Sequence, residues 1–173
     1  MITLVPPSHG HIAALLGFEL ANRAFFEATI NARPASYYSL EGVGLAVGQA
    51  MADVFAGTGF QYVVLDGAGE IAGRVNLSVV KRAHYHSAVL GYRIGQAACG
   101  KGYASEAVRQ MLEIAFGKLG LVRIEADCRV DNVASARVLL RNGFVQFGHS
   151  RRSFELGGVW YDRLHFEAHK PVA

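Results

Sequence analysis

The hydrophobic period of the chain changes as it runs, and the changes mark its elements. After a short apolar start at Ile2 to Val5, Pro6-Pro7-Ser8 breaks the chain, and Ser8 can cap a first helix to about Glu27. Arg33-Pro34-Ala35 marks a loop. From Ser39 a second helix carries Val43, Val47, Ala50, Met51, Val54 and Phe55 at helical spacing. The period then shortens. Gln61 to Leu65 and Ile71 to Val80 are β-rich and flank Asp66-Gly67-Ala68-Gly69, a hairpin signal, and Ser87 to Ile94 reads as a further strand. A glycine-bearing loop leads into a helix from about Gly102 to Lys118. Its apolar stripe is Val108, Met111, Leu112, Ala115 and Leu119, with Glu106, Arg109, Gln110 and Glu113 facing out. Val122 to Cys128 alternates apolar and polar, a strand with two unlike faces. Asp131-Asn132 can cap a short helix that ends at Asn142-Gly143. Two last strands, Phe144 to Leu156 and Val159 to Glu167, join through Gly157-Gly158.

This order of strand, two helices, three or four strands, helix, strand, helix and two strands predicts a mixed sheet with helices rather than a βαβαβ repeat. No internal repeat, low-complexity tract or linker interrupts it, so one domain over residues 1–173 is expected. Composition agrees, with 51% hydrophobic and 18% charged residues in 173, which suits a globular domain with one core. No apolar run approaches the roughly 20 residues that span a bilayer. The start MITLVPPSHGHI lacks the basic segment and long apolar core of a signal peptide, so a cytoplasmic location is expected. Cys99 and Cys128 provide neither a disulfide framework nor a CxxC metal pattern. The formal charge of +3 is mild and its Lys and Arg are scattered, which excludes a nucleic-acid tail while leaving basic strands that favour an anionic ligand.

The chemistry concentrates in GQAACGKGYASEA, Gly95 to Ala107. It comes within one residue of the phosphate-binding pattern GxxxxGK[ST], with Gly102 where the Mg²⁺-binding hydroxyl belongs. The strand that follows the next helix alternates where a doubly wound parallel strand runs continuously apolar, so a metal-dependent triphosphate site is excluded. GxGxxG fails as well, because Ser105 takes the third glycine. What remains is a strand, a tight turn and a helix N-terminus. Gly100 and Gly102 let the backbone approach a ligand, and the free N–H groups of the first helical turn suit a pyrophosphate without a metal. On this much alone, a plain helix start stands equally beside it.

Further motifs in register separate the two. The runs CGKGYASEA, LGLVRIEADCRVDNVASARVLLRNGF and GGVWYD resemble the GNAT superfamily of acetyl-CoA-dependent N-acetyltransferases, and most of all its ribosomal-protein N-terminal acetyltransferase (Rim-type) branch. The family's pyrophosphate motif, Gln or Arg, two residues, Gly, one residue, then Gly or Ala, falls on Cys99 to Ala104. The branch's Asn-x-x-Ser before Gly-Phe falls on Asn132, Ser135 and Gly143-Phe144. The resemblance implies an α+β fold in three α/β/α layers, with a mixed, mostly antiparallel sheet of about six to seven strands and about four helices. It also implies that acetyl-CoA is held by Arg93 and Ile94 on the strand, by Cys99, Gly100, Lys101, Gly102, Tyr103 and Ala104 in the loop, and by Asn132 and Ser135 beyond, with no metal. Cys99 departs from the usual Gln or Arg, leaving the backbone amides. Leu139 stands where many members carry a tyrosine that protonates the leaving thiolate, and the branch assigns that role to the Ser135 position. The alternative for Ser135 is a small residue in a helix's first turn.

The resemblance further implies direct attack of a neutral amine on the thioester. The branch's strand glutamate falls on Phe154, counted back from Gly157-Gly158, with Glu155 beside it; Glu155 needs a bulge to serve as base and is otherwise a solvated strand carboxylate. Glu41, at a helix start, is the other candidate base. His84 and His86 share a face if their segment is extended, but no third metal ligand follows at a readable spacing, and a turn or surface role outweighs it. Phe25, Phe26, Tyr37 and Tyr38 flank the loop where the family builds its acceptor site. An α-amine with pKa near 8 is about a tenth neutral at pH 7, and a lysine near 10.4 only about once in 2,500, so a weak base serves the first alone. The expected acceptor is therefore a protein or peptide N-terminal α-amine. The alternatives are a small-molecule amine such as an aminoglycoside or polyamine, and a non-catalytic acyl-CoA-binding module. Neither nucleic-acid nor membrane binding is expected, and the chain is a monomer or homodimer.

Overall fold

The computed structural model describes residues 1–172, and among them seven strands form one sheet in the order β1-β2-β3-β4-β5-β7-β6. The strands are β1 (Thr3–Val5), β2 (Phe60–Leu65), β3 (Ile71–Lys81), β4 (Ser87–Ile94), β5 (Arg123–Arg129), β6 (Val145–Leu156) and β7 (Val159–His169). The helices are α1 (Ile12–Ala21), α2 (Arg23–Glu27), α3 (Leu40–Ala56), α4 (Tyr103–Glu113) and α5 (Val133–Arg141). Among these residues no helix is long and apolar enough to cross a membrane.

Period-2 alternation gives the sheet two apolar faces, and each is covered. Leu15 of α1 and Val43 and Val47 of α3 bury one face against Val63. Val108 and Met111 of α4 and Leu139 of α5 bury the other against Val75, Leu77, Leu90, Ile124 and Phe166. The three-layer arrangement expected from the sequence is the one observed. Five α-helices stand where about four were expected, because the first helical stretch breaks at Asn22 (φ −107°, ψ 4°) into α1 and α2. The Asn22 side chain accounts for the break: its amide donates to the Phe18 carbonyl at 2.9 Å and its oxygen accepts from the distant Gln96 N–H at 2.8 Å. The α4 helix also stops early. Over Ile114–Lys118 the turn widens, and Leu119 N–H bonds back five residues to Ile114 at 2.9 Å.

The sheet has a single parallel junction, β4 with β5, made through α4. It pairs only Ser87–Val89 with Arg123–Glu125. Past those residues the two strands separate, and the divided sheet opens a gap lined by residues of both faces.

Candidate active site

A cavity of about 530 Å³ fills the gap between β4 and β5. Because alternate side chains of a strand point to opposite faces, β4 contributes Leu90 and Tyr92 to the α4–α5 side and Gly91 and Arg93 to the α1–α3 side. The cavity therefore has two unlike sides.

The α4–α5 side is neutral. Asn132 caps α5 and accepts from Ser135 N–H at 3.1 Å, which fixes Ser135 in the first turn. The Ser135 hydroxyl is hydrogen-bonded to the Tyr92 phenol, 2.8 Å away. Burial pushes that phenol up to about 12, against the opposing hydrogen bond from Ser135, so Tyr92 is a neutral hydroxyl at physiological pH. Cys128 is buried beside them, and burial pushes its thiol up too. Leu139 is fully buried in the core. The phenol that reaches Ser135 thus comes from β4 rather than α5. Sequence reasoning missed Tyr92 as a side chain, because a strand shows no local sign of which distant helix it will meet.

The glycine loop lies against the α1–α2 junction. Gly95 must be small, since a Cβ there would come within 2.9 Å of the Phe18 ring, and Asn22 holds the next amide. Gly100 (φ 78°) and Gly102 (φ 79°) are left-handed, yet a Cβ at either would touch nothing, so backbone conformation rather than crowding demands glycine. Gly102 is the N-cap of α4, whose first-turn amides have no partner within the helix. Lys101 is exposed beside them. This set of amides, dipole end and lysine fits the pyrophosphate of a coenzyme A without a metal. Cys99 is exposed, with its thiol directed to the Gly95 carbonyl at 3.5 Å. At the far end of α5, Asn142 donates to Ser105 at 3.1 Å and ties the two helices together.

The α1–α3 side is cationic. Arg33, Arg74, Arg93, Arg129 and Arg163 all line it. Glu19 of α1, 1% exposed, accepts from Arg74 at 2.6 Å and pairs with Arg93 at 3.4 Å. Arg74 also donates to Tyr37 and Gln61, each at 2.8 Å. On β5, Asp127 pairs with Arg163 of β7, and Arg129 pairs with Asp131 and lies 3.7 Å over the Tyr161 ring. Of the expected acceptor-site aromatics, Phe26 and Tyr37 stand behind the arginines as buried support. Phe25 is partly exposed, and Tyr38 donates to Glu27.

Glu155, Glu41 and the His84–His86 pair all lie outside the cavity lining, and for the histidines this agrees with the turn or surface role expected. The bulge that Glu155 needs does exist, between Ser150 and Phe154, where Arg152 adopts φ 48°. It brings Phe154 to the cavity and leaves Glu155 outside, exposed and accepting from Gly158 N–H at 3.2 Å across the hairpin turn. Glu41 is exposed in the first turn of α3, away from the cavity. His84 (φ 67°) and His86 (φ 44°) sit in a turn rather than an extended segment, and among the described residues no group of three metal-ligating side chains occurs.

The sheet thus opens at its parallel junction, with a glycine turn at a helix N-terminus following the strand that borders the opening. Residues 2–145 match the family described as Acetyltransferase (GNAT) domain, and the chain belongs to that family. It is similar to Probable N-acetyltransferase YjcK of Bacillus subtilis (strain 168), 32% identical over 148 residues, 85% of this chain and 82% of that one. It is also similar to the ribosomal protein uS5-alanine N-acetyltransferase of Escherichia coli (strain K12), 34% identical over 95 residues, 55% of this chain and 49% of that one. Among solved structures, Mycobacterium smegmatis RimJ in complex with CoA-disulfide superposes with a TM-score of 0.89 at 25% identity, covering 97% of this chain and 81% of that one. The chain is an acetyl-CoA-dependent N-acetyltransferase that uses an amine as acceptor.

Proposed function

We propose that the acceptor is the N-terminal α-amine of a protein or peptide, which attacks the thioester directly. The observation that supports this is the state of the carboxylates at the cavity. Glu19 divides its oxygens between Arg74 and Arg93, and Asp127 is engaged by Arg163. Both carboxylates are already taken up by guanidinium donors, so neither stands open to the amine. A site with no free base suits an amine already about a tenth neutral at pH 7, and serves a lysine poorly. Nearby guanidinium groups favour the neutral amine further, because like charge disfavours the ammonium form. The same charges disfavour a polyamine or aminoglycoside. The similarity to an enzyme named for a ribosomal-protein alanine points the same way.

In this reading the backbone of Cys99, Gly100, Lys101, Gly102, Tyr103 and Ala104 takes the pyrophosphate, and the edge of β4 at Arg93 and Ile94, past its last pairing with β5, faces the pantetheine arm. As the N–C bond forms and the C–S bond breaks, the Ser135 hydroxyl gives its proton to the leaving thiolate and Tyr92 supports it by hydrogen bonding. The amine's proton leaves to water and water returns one to the Ser135 hydroxyl, with no base required from Glu155. The catalytic unit is one domain spanning 1–173, acting in the cytoplasm.

Turnover tests the reading. Release of free CoA is measured with peptides bearing a free N-terminus, with N-terminally blocked lysine peptides, and with spermidine. Free N-termini should be the best acceptors. Turnover confined to spermidine or lysine contradicts the acceptor assignment, and tight CoA binding with no turnover on any amine favours a binding module.

A further inference from the structure

The cationic side of the cavity carries more charge than its own carboxylates neutralise. Arg163 and Arg129 each have a partner, Asp127 and Asp131. Opposite them, Arg74 and Arg93 share Glu19, and Arg33 lies close to Arg93. Five guanidinium groups against three carboxylates leave an excess of two positive charges. Arg33 has no carboxylate partner among the described residues; its guanidinium lies 4.3 Å over the Tyr37 ring, and its Nε is buried without a hydrogen-bond partner. Arg93 reaches Glu19 only at 3.4 Å, where Arg74 holds the other oxygen at 2.6 Å. Burial first, and then the adjacent Arg33 guanidinium, push Arg93 below its ordinary value. Arginine's planar fork matches carboxylate and phosphate oxygens, and a surplus of half-buried forks facing one cavity is the arrangement that receives an anion. The glycine loop, which takes the CoA pyrophosphate, is not part of this wall.

We propose that Arg33 and Arg93 form an anion subsite, and that the acceptor carries a carboxylate or phosphate a few bonds from the amine it presents. The proposal rests on the acetyl-transfer reading above and goes beyond it, since it sets the acceptor's charge whether or not its amine belongs to a peptide. The anionic group has three chemical sources: an acidic side chain next to a peptide N-terminus, the α-carboxylate of a free amino acid, or a phosphate ester of a small amine.

Matched acceptors distinguish these sources at saturating acetyl-CoA. The pairs are a peptide with Asp or Asn as its second residue, serine against serinamide, and O-phosphoethanolamine against ethanolamine. The acidic member of at least one pair should have a kcat/KM about 10- to 150-fold higher, the range of a charge-assisted hydrogen bond, and that pair names the source. In Arg33→Gln the preference should shrink to within about threefold. Succinate should inhibit the unmodified chain competitively against the acceptor but not against acetyl-CoA, a readout independent of any variant. Equal rates within every pair, with transfer proceeding, overturn the subsite and leave the acetyl-transfer reading intact. Full preference retained in Arg33→Gln, or succinate competing with acetyl-CoA, overturns its placement. Absence of CoA release with every amine overturns the transfer reading instead.

Discussion

The two sides of one cavity handle negative charge with different materials. On the α4–α5 side stand neutral dipoles, the Ser135 hydroxyl backed by Tyr92 at 2.8 Å, which in the proposed transfer would meet a thiolate that exists only as the bond breaks. On the α1–α3 side the protein keeps permanent charge, with Arg74 and Arg93 sharing the buried Glu19 and Arg33 beside Arg93. A developing charge needs fixed dipoles at the right point and little else. A ligand that arrives already charged justifies keeping cations half-buried, which the fold tolerates because Glu19, Tyr37 and Gln61 hold Arg74 in place.

The contrast predicts that the cationic side is the more important for stability and the neutral side for turnover. Glu19→Gln leaves Arg74 and Arg93 without their shared carboxylate, and should lower the unfolding free energy by about 3 kcal/mol in urea, the low end for breaking a buried pair. Ser135→Ala should cost about 1 kcal/mol, one hydrogen bond. Equal losses would erase the distinction. Gly102→Val forces a β-branched residue into φ 79° and places bulk where the loop meets its ligand. Calorimetry should show acetyl-CoA affinity at least about tenfold weaker, or ~1.4 kcal/mol. In the unmodified chain, affinity should be indifferent to EDTA; collapse on chelation contradicts a backbone site. For kcat the order of importance reverses. Ser135→Ala should lower kcat about 10²-fold, the low end for general acid catalysis because a thiol is a fair leaving group, with the acetyl-CoA Kd nearly unchanged. Tyr92→Phe should have a smaller effect in the same direction. Unchanged kcat in Ser135→Ala would remove that hydroxyl from the mechanism.

The two sides also differ in how well the sequence announces them. The CoA side is built from short contiguous runs, Gly95 to Ala104 and Asn132 to Ser135, whose turn and cap chemistry is local and so legible. The cationic side draws Glu19, Arg33, Arg74, Arg93, Asp127 and Arg163 from scattered elements, and only sheet order and face alternation bring them together. Scattered basic residues showed that the strands were cationic but not that five arginines would line one cavity. Most elements were legible from period and turn residues. The α1–α2 break was not, because Asn22 ends the helix by reaching Gln96, 74 positions away. Glu155 shows the same limit at a smaller scale. A bulge at Arg152 decides which of two neighbouring residues, Phe154 or Glu155, lines the cavity, and its left-handed residue is an arginine that carries no turn signal.

The central claim is that a neutral α-amine attacks without a dedicated base, and the pH dependence of kcat/KM for the best peptide acceptor tests it most directly. The rate should rise with the fraction of free amine, half-complete near pH 8 and flat by about pH 9. A profile still climbing at about pH 9.5 would mean that the acceptor titrates as a lysine or polyamine, and would contradict the account.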